Sequence, residues 1–199
     1  MMLVRSRRQP TWTFVFIAMS FLLFVFQQTT NLWIYLAFFP AYALRFPWMF
    51  VTSVFLHADL SHLLFNLFAL YFFGSSLERR IGGRLFVALF LLSGIFGNLG
   101  YMITASNPYV PGLGASGAIY GVMGALAILV PFMVVLVYGM VPLPMVVAAL
   151  LWALMDFMGL FAPSGIAHGA HLGGMIVGAV FGLYLRQQMR RPESARYFI

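Results

Sequence analysis

The sequence predicts an all-α, polytopic membrane protein: one domain over residues 1–199 built as a bundle of six transmembrane helices. Three observations carry this reading. Hydrophobic residues make up 63% of the 199, about 125 in all, enough for six spans of ~20 residues each. Charged residues make up only 8%, where a soluble domain needs about a quarter, so eleven basic and four acidic side chains cannot supply a polar skin. The apolar runs are separated by short breaks rich in Pro, Gly and Arg. A mean hydropathy of +0.97 agrees.

The same numbers exclude a soluble globular domain and a disordered chain. The net charge of +7 does not argue for nucleic acid. Every basic residue is Arg, and the arginines fall between apolar runs and at the ends of the chain, where they encode membrane topology. With no Cys there is no disulfide framework, no thiolate metal or redox centre and no cysteine nucleophile.

The first span, 12–28, follows Arg5, Arg7 and Arg8 and ends at Gln27-Gln28-Thr29-Thr30-Asn31; no small-x-small cleavage pattern follows, so it is read as a span and not a signal peptide. Residues 32–55 are apolar but carry Pro40, Arg45 and Pro47, which interrupt a spanning helix. They are expected to form a membrane-embedded loop in the outer leaflet. The second span, 56–73, closes at Gly74-Ser75-Ser76 and the cluster Glu78-Arg79-Arg80. The third covers 85–103 and the fourth 113–130, stopped by Pro131. Residues 132–141 are too short to span and read as an interfacial connector or the frayed end of the fourth span. The fifth, 145–161, is entered through Pro142 and Pro144, and the sixth, 168–185, stops at the arginines from Arg186 onward. With six spans, Arg5, Arg7, Arg8, Arg79, Arg80, Arg84, Arg186, Arg190, Arg191 and Arg196 share one side and only Arg45 lies opposite, as the positive-inside rule requires. Both termini are therefore expected in the cytoplasm.

This topology puts the scarce polar residues at one depth. His57 and His62 open the second span, His168 and His171 open the sixth, and Gly112-Leu113-Gly114-Ala115-Ser116-Gly117 opens the fourth. Polar groups inside a bilayer are costly and face the bundle interior, so convergence at the outer ends of three helices suggests a shared site. Each piece alone has a plainer reading. Ser116 could cap its helix, and His62 and Asn66, four residues apart, could bond between helices. Asp156, near the outer end of the fifth span, reads as an interfacial charge. Gly174, Gly178 and Gly182 form a small-xxx-small ridge for close packing. Taken together the set suits acyl transfer. A serine hydroxyl needs a base, and histidine is the usual one near neutral pH. Ser116 at a helix N-terminus brings free N–H groups for an oxyanion. Gly114 and Gly117 leave room for a carbonyl, His171 can act as base, and His62 or Asn66 can donate to the oxyanion. The segment is not the G-x-S-x-G elbow, because Ala118 holds the fifth place.

These residues resemble the rhomboid family of intramembrane serine proteases. The matching motifs are His57-x4-His62-x3-Asn66, Gly114-Ala115-Ser116-Gly117-x2-Tyr120-Gly121 and Ala170-His171-x2-Gly174-x3-Gly178, with Glu78-Arg79-Arg80 between the first two. The resemblance covers roughly residues 45–185 in the family's order and spacing. It implies a rhomboid-type six-helix bundle and a catalytic dyad, Ser116 as nucleophile and His171 as general base, without a carboxylate third member. It implies that His62, Asn66 and backbone N–H groups, that of Ser116 included, stabilise the oxyanion, and that Tyr120 stacks on His171. The substrates implied are transmembrane segments of single-span or polytopic proteins, cut toward the outer face of the bilayer, in a prokaryotic inner or plasma membrane. Two positions depart from the family pattern. Trp48-Met49 stands where Trp-Arg is common, and His168 stands where a small or amide residue is common. No metal or cofactor is expected: there is no H-E-x-x-H or carboxylate-rich signature, and bis-histidine haem would leave the Gly-Ala-Ser-Gly segment without a role. The alternative function is a catalytically inactive relative that binds transmembrane segments.

Overall fold

The computed structural model describes residues 9–137, 139–162 and 164–190. Arg5, Arg7, Arg8, Arg191 and Arg196, which support the topology, lie outside the described residues. The described chain is mostly helical. Four helices are long and apolar enough to cross a membrane: α1 (Thr11–Thr29), α2 (Leu60–Ile81, with a π-helical stretch at Leu70–Gly74), α3 (Gly83–Thr104) and the last helix, which begins at His168. Two further apolar helices are shorter, α4 (Ser116–Leu129) at 14 residues and α5 (Met145–Gly159) at 15; the last is α6 (His168–Arg190).

The helix ends use the few acids the chain has. Asp59 caps α2, its side chain accepting from the N–H of His62 at 2.8 Å and from the Ser61 hydroxyl. Glu78, 1% exposed, reaches across to the start of α1. It accepts from the Trp12 N–H at 2.9 Å, the Thr13 N–H at 2.8 Å and the Thr13 hydroxyl at 2.7 Å. Pro10 precedes α1 and offers no side-chain cap, so a carboxylate from a different helix satisfies the donors that a helix N-terminus leaves open. Between α2 and α3 the chain turns on Gly82, whose φ of 85° is open to glycine and strained for other residues.

The bundle is arranged around α4. Nearly every residue of α4 from Gly117 to Ala127 is buried, which is how a helix apolar on all sides is placed. Helices α3 and α6 flank it through glycines. A side chain at Gly174 would collide with the Gly117 carbonyl and one at Gly178 with that of Gly121, while Gly97 lies against Gly117 and the Ala170 carbonyl. The Gly174-Gly178-Gly182 ridge is thus the seam between α6 and α4. Phe14, Leu22, Phe65, Phe68, Ile176 and Val180 point outward and are more than half or nearly half exposed, the side-chain set a lipid solvent would cover.

Residues 32–55 form no long helix. They run as short turns around Pro40 and Pro47, with single helical turns at Leu32–Tyr35, Met49–Thr52 and Ser53–Phe55. The segment is tied down by a two-way backbone pair between Phe38 and Gly112, at 3.0 and 2.8 Å. The Trp48 indole donates to the Tyr35 carbonyl at 2.9 Å, and the Thr52 hydroxyl to the Leu36 carbonyl at 2.7 Å. Met49 is buried with Phe38 and Ala43, so the family's basic position is here an apolar plug. After α4 the expected connector or frayed helix end is instead an antiparallel hairpin, β1 (Val134–Val137) and β2 (Val141–Pro144), with Val137 opposite Val141. Pro131 ends the helical path, the β-branched valines favour extended backbone, and Gly139 at φ 73° makes the turn.

Candidate active site

The loop before α4 is shaped by glycine. Gly114 has φ 121°, and a Cβ there would lie 2.7 and 2.8 Å from the His62 ring, so only glycine lets that ring approach the backbone. The Gly114 N–H donates to the Ser53 carbonyl at 3.0 Å. The Asn98 amide from α3 donates to the Ser53 hydroxyl and the Phe50 carbonyl, both at 2.9 Å. Asn98 and Ser53 were not singled out from the sequence, yet this buried pair fixes the loop that delivers Ser116.

Ser116 begins α4, but its side chain does not cap it. Its Oγ lies 2.9 Å from His171 Nε2. The His171 ring is held on its face and on its far edge. Tyr120, one turn along from Ser116, stacks on it with centroids 4.2 Å apart and planes 12° from parallel. His171 Nδ1 lies 2.9 Å from Asp156 Oδ1.

Asp156 corrects two expectations. It is 4% exposed, not an interfacial charge, and it gives the Ser–His pair a carboxylate that the resemblance did not imply. The same Oδ1 also lies 2.6 Å from His168 Nδ1, and His168 Nε2 is 2.8 Å from the Ser164 hydroxyl. The signal that could have found Asp156 was its isolation: an ionisable residue inside an apolar span is a site candidate by default. Two ring nitrogens on one carboxylate oxygen fit the tautomer in which each Nδ1–H donates to Oδ1. Each neutral imidazole then keeps Nε2 as acceptor, which suits His171 to take the Ser116 proton.

The other residues face the same space. His62 Nδ1 lies 3.5 Å from the Ala58 N–H, which leaves Nε2 toward Gly114. Asn66, 6% exposed, uses one amide hydrogen on the His62 carbonyl at 3.0 Å and lies 3.8 Å from the place of a Gly114 Cβ. His57 sits apart from Ser116 and His171. Its ring is buried edge-on against His62, 5.2 Å between centroids, with neither nitrogen bonded among the described residues. Its backbone is clamped by the Gln27 side chain, which donates to its carbonyl at 3.1 Å and accepts from its N–H at 3.0 Å. His57 thus props His62 from behind. Beside Ser116 lies a small cavity of about 20 Å³, walled by Gly97, Gly112, Gly114, Gly117 and Ala170, with room for about one water molecule. A nucleophile-sized hydroxyl, a base held in one tautomer, free helix-terminal N–H groups and two more side-chain donors are what acyl transfer needs.

Comparison with known proteins identifies the family. The model of the Rhomboid domain matches residues 45–188. The rhomboid-family protein YdcA of Bacillus subtilis is 36% identical over 145 residues, covering 72% of this chain and 70% of its own length. Rhomboid protease GlpG of Salmonella newport is 31% identical over 188 residues, covering 88% of this chain and 63% of its own. Rhomboid protein 1, mitochondrial, of Saccharomyces cerevisiae is 35% identical over 164 residues, covering 74% of this chain and 46% of its own. The chain therefore spans less than two thirds of the length of the latter two. With the family match over most of its length and helices apolar enough to cross a bilayer, the chain is an integral membrane protein that belongs to the rhomboid family.

Proposed function

We propose that this protein is an intramembrane serine endopeptidase that cleaves transmembrane segments of membrane-protein substrates. The observation that carries the reading is the 2.9 Å approach of Ser116 Oγ to His171 Nε2, with the ring clamped by Tyr120 and Asp156. Ser116 Oγ attacks the scissile carbonyl as His171 Nε2 takes its proton, and Asp156 stabilises the imidazolium that forms. The oxyanion is met by the Ser116 N–H, His62 Nε2 and the Asn66 amide, at the positive end of α4. His171 returns the proton to the leaving amine. A water molecule, activated by His171, then hydrolyses the acyl-enzyme.

The bilayer reading follows from length. At 1.5 Å per residue α4 is about 21 Å long, short of the ~30 Å hydrocarbon core. The six helices cross the membrane with both termini cytoplasmic, and α4 starts below the outer surface, so Ser116 meets substrates inside the bilayer. The membrane proposed, from the bacterial source of two of the relatives, is a prokaryotic inner or plasma membrane; the yeast relative is mitochondrial.

The test is cleavage of a single-span model substrate in liposomes by wild type, Ser116→Ala and His171→Ala. Both variants are expected to lose activity while keeping fold and substrate binding. A Ser116→Ala protein that cuts as well as wild type overturns the reading. Wild type that binds the substrate without cutting supports the inactive binder instead.

A further inference from the structure

Asp156, His168 and His171 offer three donor atoms, one carboxylate oxygen and two imidazole nitrogens, all within 4.8 Å of one another. Two of them are one turn apart on α6, in the spacing His168-x-x-His171, and the third comes from α5. All three side chains are largely shielded, at 14% exposure or less for His168 and His171 and 5% for Asp156. We propose that this cluster is an inhibitory zinc site: a Zn²⁺ ion bound to Asp156 Oδ1 and the two Nδ1 atoms switches off the base of the catalytic pair. The inhibitory half of this inference rests on the protease reading of the same site; the binding half does not.

The donor set suits the ion. Two imidazoles and a carboxylate are the borderline ligands zinc prefers, with a fourth position left for water. Metal–ligand bonds of about 2.0–2.1 Å place tetrahedral donors about 3.3 Å apart, so Asp156 Oδ1, now 2.6 and 2.9 Å from its partners, must withdraw by about 0.4–0.7 Å, and the two Nδ1 atoms, which lie within 4.8 Å of each other, must settle at the same spacing. The outer nitrogens already have partners. A histidine that binds metal through one nitrogen commonly holds an oxygen with the other, and His168 Nε2 has the Ser164 hydroxyl at 2.8 Å while His171 Nε2 has Ser116 at 2.9 Å.

The consequence for chemistry is a change of tautomer. Without metal, both Nδ1 atoms carry hydrogen and donate to Asp156, and His171 Nε2 is free to accept the Ser116 proton. Zn²⁺ needs both Nδ1 lone pairs. Each ring therefore keeps its single proton but carries it on Nε2, and no net proton is gained or lost. His171 then donates to Ser116 Oγ and can no longer deprotonate it. His168, which stands at the position where the resemblance leads one to expect a small or amide side chain, is what completes the site.

The test begins on Ser116→Ala protein, where binding is read without activity. Titration calorimetry with Zn²⁺ in detergent is expected to give one ion per chain, and His168→Gln in the same background should weaken it at least about tenfold. A histidine ¹H–¹⁵N spectrum of the Ser116→Ala protein should show two rings passing from Nδ1–H to Nε2–H on zinc addition; this reading stands even if His168→Gln fails to fold. In cleavage assays Zn²⁺ should inhibit wild type reversibly, EDTA should restore it, and His168→Gln should resist when scored against its own metal-free rate. Absence of binding to Ser116→Ala protein, or unchanged tautomers, overturns the site. Equal zinc sensitivity in His168→Gln overturns the inhibitory role. Zinc binding by a chain whose wild type cuts nothing leaves the site intact and overturns the protease reading with the inhibition that depends on it.

Discussion

Three of the four acidic residues lie in the described chain, and each has a specific task. Asp59 caps α2, Glu78 caps α1 from a distance, and Asp156 holds the histidines of the site. Asp156 is the most informative, because a Ser–His pair alone leaves the base free to rotate and to choose either tautomer. Asp156→Asn keeps the volume but presents an amide where Nδ1–H needs an acceptor. It is expected to lower kcat for a single-span substrate by about 10²–10⁴-fold with KM little changed, measured by steady-state cleavage in liposomes. The histidines and Ser116 were legible in the sequence because polar residues are so few. Asp156 was misread because hydropathy places it near a span end, and only the packing of α5 on α6 tells that its carboxylate turns inward. The supports behind the front residues were not legible as such: Asn98 and Ser53 lie 45 residues apart, and the five-residue spacing of His57 and His62 does not tell that one ring backs the other.

At the scale of elements, the apolar runs and their breaks located the helices, and the glycine ridge of α6 announced a close seam, though not its partner. The hairpin after α4 was missed. A run of four valines and leucines is too short for periodicity to separate strand from frayed helix, and the pairing that decides it comes from Val141–Pro144. Glu78 is where an element-level prediction is sharpest. Glu78-Arg79-Arg80 resembles a family motif, but its structural meaning is that Glu78 satisfies three donors at the start of α1. Glu78→Ala leaves those donors unpaired in a buried place and should destabilise the protein by about 2–3 kcal/mol. It should appear as a lower midpoint in thermal or denaturant unfolding in detergent, whereas Arg79→Ala, with no such donors to orphan, should change it little.

For the whole molecule, scarcity of charge unites fold and site. A chain with 8% charged residues cannot face water, so it turns Phe65, Phe68 and Ile176 outward, while Ser116, Asp156, His168 and His171 are joined in one cluster. The proposed topology is directly measurable, because the chain has no Cys and single cysteines can be introduced on a clean background. With both termini cytoplasmic, a cysteine at Arg84 should be blocked by a membrane-impermeant maleimide only from the cytoplasmic side, and one at Asn107 only from the opposite side. Labelling of both from one side would contradict the six-span arrangement.

The proposed mechanism makes Ser116 a nucleophile activated by His171. The structure offers a built-in control, since Ser164 also faces a histidine on the same carboxylate but sits in an exposed loop, its oxygen accepting from the Ile166 N–H at 3.3 Å. The most direct measurement is reaction of the purified protein with a fluorophosphonate, followed by mass-spectrometric mapping of the adduct. A single adduct is expected on Ser116, lost in His171→Ala and absent from Ser164. An adduct on Ser164, or undiminished labelling of Ser116 in His171→Ala, would contradict the mechanism.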